Sequence, residues 1–183
     1  MAKMSILLTL EKAFPGWLLS AESVILNCLQ KHNLTMEIIS SNGNFNEYVD
    51  YIYQNKEELK GEFAYIKNHL EKGNSWGEII IVKNKNKKII ASFGPNRIEM
   101  DKNKKKRARP GYFSVLKKFR NKKIGNALWI TGLKRMKKMG ADYIKISVAK
   151  NNLPALKIYL NSGLKKVKKA WEKSLETELP GER

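Results

Sequence analysis

The chain has 183 residues, 42% of them hydrophobic, and carries a formal net charge of +19. This size suits one domain, and the apolar content excludes a generally disordered chain. No apolar run approaches the roughly 18 residues of a membrane helix, a lone Cys28 excludes a disulfide framework, and His32 and His69 are too few to favour a His-based metal site. We therefore expect a cytoplasmic protein with no membrane segment and no metal site.

The positive charge is concentrated in one part of the sequence. Residues 1–101 carry 12 basic and 12 acidic side chains, whereas residues 102–173 carry 23 basic side chains against only Asp142 and Glu172. Such a field attracts anions and speeds their encounter. A phosphorylated small molecule and a nucleic acid are both suitable anions, and an AT-rich genome produces the same lysine excess without any function.

Apolar spacing and turn residues predict the elements of the N-terminal half. Ser5–Leu10 is an ordinary first helix or strand, and a turn at 14–17 leads into a helix over Leu18–Leu29. The next elements are a strand, two helices and a strand, over Leu34–Ile39, Phe45–Gln54, Glu57–Lys72 and Trp76–Val82. A turn at 84–87 then leads to a strand over Lys88–Met100, interrupted at Gly94-Pro95 because proline cannot sit in a paired central ladder.

The C-terminal half begins with a solvated basic loop over Asp101–Arg107. A strand, a helix, a strand, a helix and a strand follow over Pro110–Val115, Ile124–Met139, Tyr143–Val148, Asn151–Asn161 and Lys166–Leu175. Gly140 and Gly163 stand where helices end, and Pro154 lies in a first helical turn, where its missing N–H has no cost. This order predicts an α/β protein with a mixed sheet and helices on both faces.

Two segments carry the pattern of a binding site. The loop Lys117–Gly125 follows a strand and opens a helix, whose unpaired N–H groups bind phosphate oxygens; alone, it is also typical of a solvated turn. The second segment, Asn152-x-x-Ala155-x-x-Ile158-Tyr159-x-x-x-Gly163-Leu164, resembles the closing motif of the GNAT superfamily of acetyl-coenzyme A-dependent N-acetyltransferases. Arg120 and Gly125 match the pyrophosphate loop of that family, and the resemblance is specific over residues 109–164.

The resemblance implies a GNAT-like fold, with a central, mostly antiparallel sheet flanked by helices. It implies an acetyltransferase domain over residues 34–183, preceded by a helical extension over residues 1–33. Acetyl-coenzyme A is then the cosubstrate, and the acceptor is a primary amine of a small molecule or protein. Nucleic-acid binding is the less favoured partner interaction. An exposed apolar first helix would also favour a homodimer.

The resemblance also implies a role for each matching residue. The strand residues Phe113 and Val115 present backbone groups to the pantetheine arm, and the Val115 N–H is the candidate oxyanion donor. The pyrophosphate lies on Arg120, Asn121, Lys122, Lys123, Ile124, Gly125 and Asn126. Asn152 reaches the pantetheine arm, and Tyr159 protonates the leaving thiolate. Asn152 is equally suited to be a helix N-cap, and Tyr159 to be a core residue.

Three questions stay open at this level. Lys123 stands where the family usually has a glycine, so either this position takes a negative φ or the loop sits slightly further from the cofactor. A carboxylate or a water chain must accept the proton of the acceptor ammonium, and Glu99 is favoured over Glu78 for that task. The alternative function is a non-enzymatic nucleic-acid-binding domain that uses the basic residues 102–173.

Overall fold

The computed structural model describes residues 3–9, 17–40, 42–72, 77–149 and 151–166. It confirms the expected mixed α/β fold. The strands are β1 (Lys3–Thr9), β2 (Thr35–Ile39), β3 (Glu78–Lys83), β4 (Ile89–Met100), β5 (Lys106–Arg109), β6 (Tyr112–Val115), β7 (Tyr143–Ala149) and β8 (Lys165–Lys166). The helices are α1 (Trp17–Lys31), α2 (Asn46–Gln54), α3 (Lys60–Glu71), α4 (Ile124–Lys138) and α5 (Leu153–Asn161).

The backbone divides into two compact units. Unit one comprises residues 1–18, 98–109 and 134–183, and unit two comprises residues 19–97 and 110–133. The division falls inside α1, β4 and α4, so each of these three elements contributes to both units. The mostly antiparallel character is confirmed in both, because every pairing with a defined register is antiparallel except β5 with β7.

In unit two the strands follow the order β2-β3-β4-β6. On one face of this sheet, Ile79 and Ile81 pack into a core cluster with Tyr48, Ile52 and Ile66 of α2 and α3. Alternate residues point to the other face, where Phe93 lies 5.5 Å from Trp129 of α4 between ring centroids. Helices therefore cover both faces of this sheet.

In unit one the strands follow the order β5-β7-β1-β8. β7 lies between a parallel neighbour, with Ala108 opposite Ile144, and an antiparallel neighbour, with Ile6 opposite Ile146. α5 follows β7 and begins at Leu153. The structure thus places the end of the sequence motif directly after a strand that is paired on both edges.

Most predicted elements are confirmed within two or three residues at each end. Gly140 ends α4 as expected, with φ +88°. Its N–H donates to the carbonyl of Lys137 at 2.8 Å and the next N–H, of Ala141, to Met136 at 3.1 Å, which is a Schellman cap. None of the described helices is both long and apolar enough to cross a membrane.

The expected interruption of the strand over Lys88–Met100 is wrong. β4 continues through Gly94-Pro95, and Glu78 pairs with Asn96 while Ile80 pairs with Phe93. Two residues of β4 therefore oppose the single Ile79, which is a β-bulge, and a bulge is one of the few paired positions that proline tolerates.

Two further predictions need correction. The basic loop expected over 101–107 ends earlier, because β5 begins at Lys106, with Ala108 fully buried in it. The N-terminal extension is not wholly helical, because Lys3–Thr9 pairs with β7 and β8 as a strand. The boundary at residue 34 stays a prediction. The turn at 14–17 and most of the last strand over 166–175 lie outside the described residues.

Candidate active site

Two residues of β6, Phe113 and Val115, direct their backbone groups away from the neighbouring strand β4. The Leu116 N–H donates to the carbonyl of Ile90 on β4 at 3.0 Å. Backbone groups alternate in direction along an antiparallel strand, so Ser114 also faces β4, whereas Phe113 and Val115 face away from it. Within the described part of the chain β6 pairs with β4 alone. The two residues predicted to contact pantetheine thus hold their backbone groups on the open edge of a strand.

The loop between β6 and α4 has an unusual backbone. After a 3₁₀ turn at Lys117–Phe119, Arg120 is extended, with φ −66° and ψ 169°. Asn121 and Lys123 follow in the left-handed region, with φ +62° and +60°. A negative φ at Lys123 was one of the two explanations for the missing glycine, and it is wrong. Asparagine tolerates this region better than most residues, whereas lysine does not.

α4 starts at this loop. The carbonyl of Lys123 accepts the first helical hydrogen bond, from the Ala127 N–H at 3.1 Å. The N–H groups of Ile124, Gly125 and Asn126 come before that bond and have no partner within the helix. They carry partial positive charge at the helix N-terminus, where phosphate oxygens bind.

Arg120 is tied to the strand before it. Its Nε donates to the carbonyl of Val115 at 2.9 Å, and its Nη2 lies 3.4 Å from Oε1 of Glu58. The same Glu58 oxygen accepts a hydrogen bond from the N–H of Lys117. Arg120 thereby fixes the loop against β6, and Glu58 is a positioning residue that sequence reasoning missed. Nothing in the sequence marks it, because it stands in a run of charged residues.

α1 supports the loop from its other side. The Cys28 thiol donates to the carbonyl of Lys122 at 3.4 Å, and burial raises the pKa of this thiol, although Lys123 opposes the shift. The ammonium groups of Lys118 and Lys122 lie over the Phe119 ring, 5.2 and 5.6 Å from its centroid. The loop is therefore held by contacts at several points along its length.

The motif over 152–164 forms one capped helix. The side-chain oxygen of Asn152 accepts a hydrogen bond from the Ala155 N–H at 3.3 Å, so Asn152 is the N-cap of α5. Gly163, with φ +90°, ends the helix, and the Leu164 N–H donates to the Tyr159 carbonyl at 3.2 Å. Burial raises the pKa of the half-buried Tyr159 to about 12. The cap uses only the acceptor oxygen of Asn152, so its amide N–H groups keep their capacity to donate.

The two carboxylates predicted as proton acceptors lie on different strands. Oε2 of Glu99 is 3.4 Å from Nε of Arg109, and the Glu99 side chain is 46% exposed. Glu78 begins β3, where it is half-buried opposite Asn96. Glu99 is thus a partly solvated member of an ion pair.

A third carboxylate was missed. Glu62 of α3 is only 3% exposed. Its Oε1 accepts hydrogen bonds from the Tyr48 hydroxyl at 3.0 Å and from the Ser92 hydroxyl at 2.8 Å. Ser92 in turn lies 3.1 Å from the Ser114 hydroxyl of β6. The sequence held one signal for it, because Glu62 occupies the apolar stripe of α3 between Leu59 and Ile66.

The predicted site residues fall into two sets. Phe113, Val115 and the loop over 120–126 lie together in unit two, linked by the Arg120 contacts. Glu99, Asn152 and Tyr159 lie in unit one.

The sequence model of the Acetyltransferase (GNAT) family matches residues 44–164. No curated protein sequence matches the chain. A glucosamine N-acetyltransferase region of a fungal multi-domain GH3 β-N-acetylglucosaminidase is similar in structure, with a TM-score of 0.61 at 15% identity over 90% of this chain. That match spans 20% of the fungal chain, so the present chain corresponds to about a fifth of its length.

Two smaller proteins are similar over most of their length. A putative acetyl transferase from Pyrococcus furiosus gives a TM-score of 0.57 at 22% identity, over 73% of this chain and 95% of its own. An aminoglycoside acetyltransferase from an uncultured soil metagenomic sample gives 0.55 at 15% identity, over 73% and 89%. At these identities the structural likeness concerns the fold alone.

Proposed function

The chain belongs to the GNAT family of acetyltransferases, and on that premise we propose that it transfers the acetyl group of acetyl-coenzyme A to a primary amine by direct attack. The observation that carries the proposal lies in unit two. The backbone of Val115 faces the open edge of β6, and the same chain then turns, held by Arg120, into the N-terminus of α4. A strand edge and a helix N-terminus together offer hydrogen-bond donors to a thioester and to a pyrophosphate.

We assign the cofactor contacts as follows. The pyrophosphate is held by the loop and first helical turn, comprising Arg120, Asn121, Lys122, Lys123, Ile124, Gly125 and Asn126. Phe113 and Val115 contact the pantetheine arm through their backbone, and Asn152 does so through its amide N–H groups. Lys123 places a Cβ at a left-handed position of this turn, where the family usually has glycine. Its ammonium group adds a charge-assisted contact to phosphate.

Two groups act on the reacting thioester. The Val115 N–H stabilises the negative charge that develops on the carbonyl oxygen, and Tyr159 donates to the leaving thiolate. With a pKa of about 12, Tyr159 stays protonated at neutral pH and is a permanent donor. Full proton transfer to a thiolate whose conjugate acid has a pKa of about 8.5 is uphill by about 5 kcal/mol. We therefore expect Tyr159 to act mainly by hydrogen-bonding the thiolate as it forms.

The amine must lose a proton before it attacks, because an alkyl ammonium is mostly protonated at pH 7. From the sequence, Glu99 is the proposed acceptor of this proton, with Glu78 second. In the structure, Nε of Arg109 lies 3.4 Å from Oε2 of Glu99, and the Glu99 side chain is 46% exposed.

The acceptor amine is best sought among amino sugars first. The names of two structural neighbours refer to glucosamine and to aminoglycosides, and we carry these classes over only as the start of a screen. Peptide N-termini and lysine side chains form the second arm of the screen.

We also propose a cytoplasmic location and a homodimer through α1, where Leu26 is 56% exposed. A monomer by light scattering over the micromolar range would contradict the dimer.

The test of the function is calorimetry with acetyl-coenzyme A, followed by a thiol-release assay over glucosamine, sisomicin and lysine-containing peptides. We expect micromolar binding of acetyl-coenzyme A and amine-dependent release of free thiol. The absence of binding at millimolar acetyl-coenzyme A would overturn the enzyme assignment.

A further inference from the structure

Glu62 is a buried carboxylate that has no role in the proposed function. It lies on the buried face of α3, and no basic side chain of the described residues is within ion-pair distance of it. Two hydroxyl groups donate to its Oε1, whereas Oε2 is buried and accepts no hydrogen bond from any described residue. Burying a carboxylate oxygen that accepts no hydrogen bond lowers the stability of the folded protein, unless the carboxyl group is protonated. Such a group in a native protein therefore suggests a function.

The hydroxyl chain attached to Glu62 has a defined direction. The Ser92 hydroxyl has a single hydrogen, and it is donated to Oε1 of Glu62 at 2.8 Å. While Glu62 is ionised, the Ser92 oxygen is left to accept, so Ser114 can donate to it across their contact of 3.1 Å. In this arrangement a proton can pass from Ser114 through Ser92 to the carboxylate.

The chain ends beside the residue that faces the thioester in the proposed function. Ser114 immediately precedes Val115 on β6 and is half-buried, unlike Ser92, which is fully buried. The side chains of Ser92 and Ser114 are paired across β4 and β6, so they share the sheet face on which α3 lies. The hydroxyl chain therefore joins the buried Glu62 carboxylate to the half-buried Ser114.

We propose that Ser114, Ser92 and Glu62 form a proton relay that removes a proton from the acceptor ammonium, with Glu62 as its final acceptor. The inference rests on the proposed function and assigns to Glu62 the task given above to Glu99. Ser114 takes the ammonium proton and passes its own to Ser92, which passes its own to Glu62. The neutral amine then forms the C–N bond as the C–S bond breaks, and its second proton ends on the thiolate that Tyr159 hydrogen-bonds.

The surroundings suit Glu62 to this task. Burial raises the pKa of Glu62, and the hydrogen bonds from the serine and tyrosine hydroxyls only partly oppose this. A base whose pKa is raised toward the working pH is a more effective proton acceptor. The titratable groups that face it are Tyr48 and Tyr51 of α2, with Tyr65 and Glu58 beside them, and burial raises the pKa of both Tyr48 and Tyr51.

The relay is tested with two acceptors of nearly equal size, methylamine and hydroxylamine. Methylamine is an ammonium ion at pH 7 and needs the base, whereas hydroxylamine is neutral and does not. We expect Glu62→Gln to lower kcat/KM for methylamine by about 100-fold or more, and for hydroxylamine by only a few fold. The wild-type activity with methylamine should fall as the pH drops through the raised pKa of Glu62. In Glu62→Gln the activity should instead follow the fraction of neutral methylamine and show no break at that pKa.

Matched variants separate the possible outcomes. Ser114→Ala removes the accessible end of the relay with little risk to folding and should show the same selectivity for hydroxylamine. Glu71→Gln, at the exposed end of the same helix, should behave as wild type. Equal losses with both acceptors in Glu62→Gln and Ser114→Ala, or a selective loss in Glu99→Gln instead, would overturn the relay. If only the relay is wrong, calorimetry still shows that the wild type binds acetyl-coenzyme A. If the proposed function is wrong, the wild type does not bind acetyl-coenzyme A.

Discussion

Lys123 is the residue where this chain departs most clearly from its family, and its backbone shows what the departure costs. Its φ of +60° places its Cβ close to the next carbonyl oxygen. For a residue other than glycine this conformation costs about 1–2 kcal/mol. The loop therefore keeps the geometry expected of a glycine while carrying a lysine side chain, which is consistent with a role for the ammonium group.

Lys123→Gly and Lys123→Ala separate the two effects. Both remove the ammonium, but only glycine removes the Cβ, so Lys123→Gly should be more stable than Lys123→Ala by about 1 kcal/mol. Both should bind acetyl-coenzyme A less tightly than wild type, because a phosphate contact is lost. Urea denaturation and calorimetry measure the two quantities. Equal stability of the two variants would show that the turn relaxes in solution.

Tyr159 carries a prediction about rate and pH. Tyr159→Phe removes only the hydroxyl, so turnover should fall by about 100-fold, while the dissociation constant of acetyl-coenzyme A changes little. The raised pKa of about 12 means that the hydroxyl is protonated below that pH and starts to lose its proton only as the pH approaches 12. Any alkaline limb below pH 10 should therefore persist in Tyr159→Phe. A limb that disappears with the hydroxyl would contradict the assignment.

At the scale of the elements, Asn152 and Gly163 could be identified from the sequence because each also has a local backbone task. Asn152 caps α5, and Gly163 takes the left-handed position that ends it. Residues that cap the two ends of one helix stand at a fixed interval, which can be recognised in a single sequence. Glu62 shows only its helical spacing from Leu59 and Ile66, because its partners Ser92 and Ser114 are 30 and 52 residues away.

β5 and the bulge in β4 escaped prediction for a related reason. Lys106–Arg109 is almost entirely basic, and only Ala108 is buried, so its alternation carries no hydrophobic signal. Its status as a strand comes from pairing with β7, more than 30 residues later. Pro95 in β4 likewise depends on a register shift against β3, which is a property of the pair of strands.

The packing of α4 on β4 depends on a glycine. A Cβ on Gly132 would overlap the ring of Phe93, and that ring is fixed by Trp129 and Phe113 at centroid distances of 5.5 and 5.7 Å. Gly132→Ala should therefore destabilise the protein by about 1–3 kcal/mol through overpacking. It should also weaken acetyl-coenzyme A binding, because α4 begins at the loop that we propose to hold the pyrophosphate.

Gly140→Ala provides the comparison for Gly132→Ala. Its Cβ meets nothing nearer than the Lys106 ammonium nitrogen at 3.5 Å, so its cost is limited to the left-handed φ of +88° and should be about 1 kcal/mol. Thermal or urea unfolding measures both variants. A smaller effect for Gly132→Ala than for Gly140→Ala would mean that Phe93 and Trp129 shift without difficulty.

At the scale of the whole molecule, the positive charge has two candidate uses, the binding of acetyl-coenzyme A and the binding of nucleic acid. The excess lies in residues 102–173, which contain the loop over 117–125 but also exposed lysines in the turn before β5. An acetyltransferase needs the loop charges for its cofactor and gains only faster encounter from the others. A nucleic-acid-binding domain would use both groups, because non-specific affinity grows with the number of phosphate contacts.

Two double variants of equal charge decide between these uses. Lys122→Gln with Lys123→Gln removes two loop charges, and Lys104→Gln with Lys105→Gln removes two from the turn that Asp101 organises through hydrogen bonds to the Asn103 and Lys105 N–H groups. For an acetyltransferase we expect only the loop pair to weaken acetyl-coenzyme A binding, by about tenfold, which corresponds to about 1.4 kcal/mol. For a nucleic-acid-binding domain, both pairs would lower affinity for duplex DNA alike. Each would also reduce the slope of log affinity against log salt by about two. Calorimetry with acetyl-coenzyme A and a salt titration of DNA binding, carried out on the same four samples of purified protein with wild type and Glu71→Gln as references, measure both outcomes.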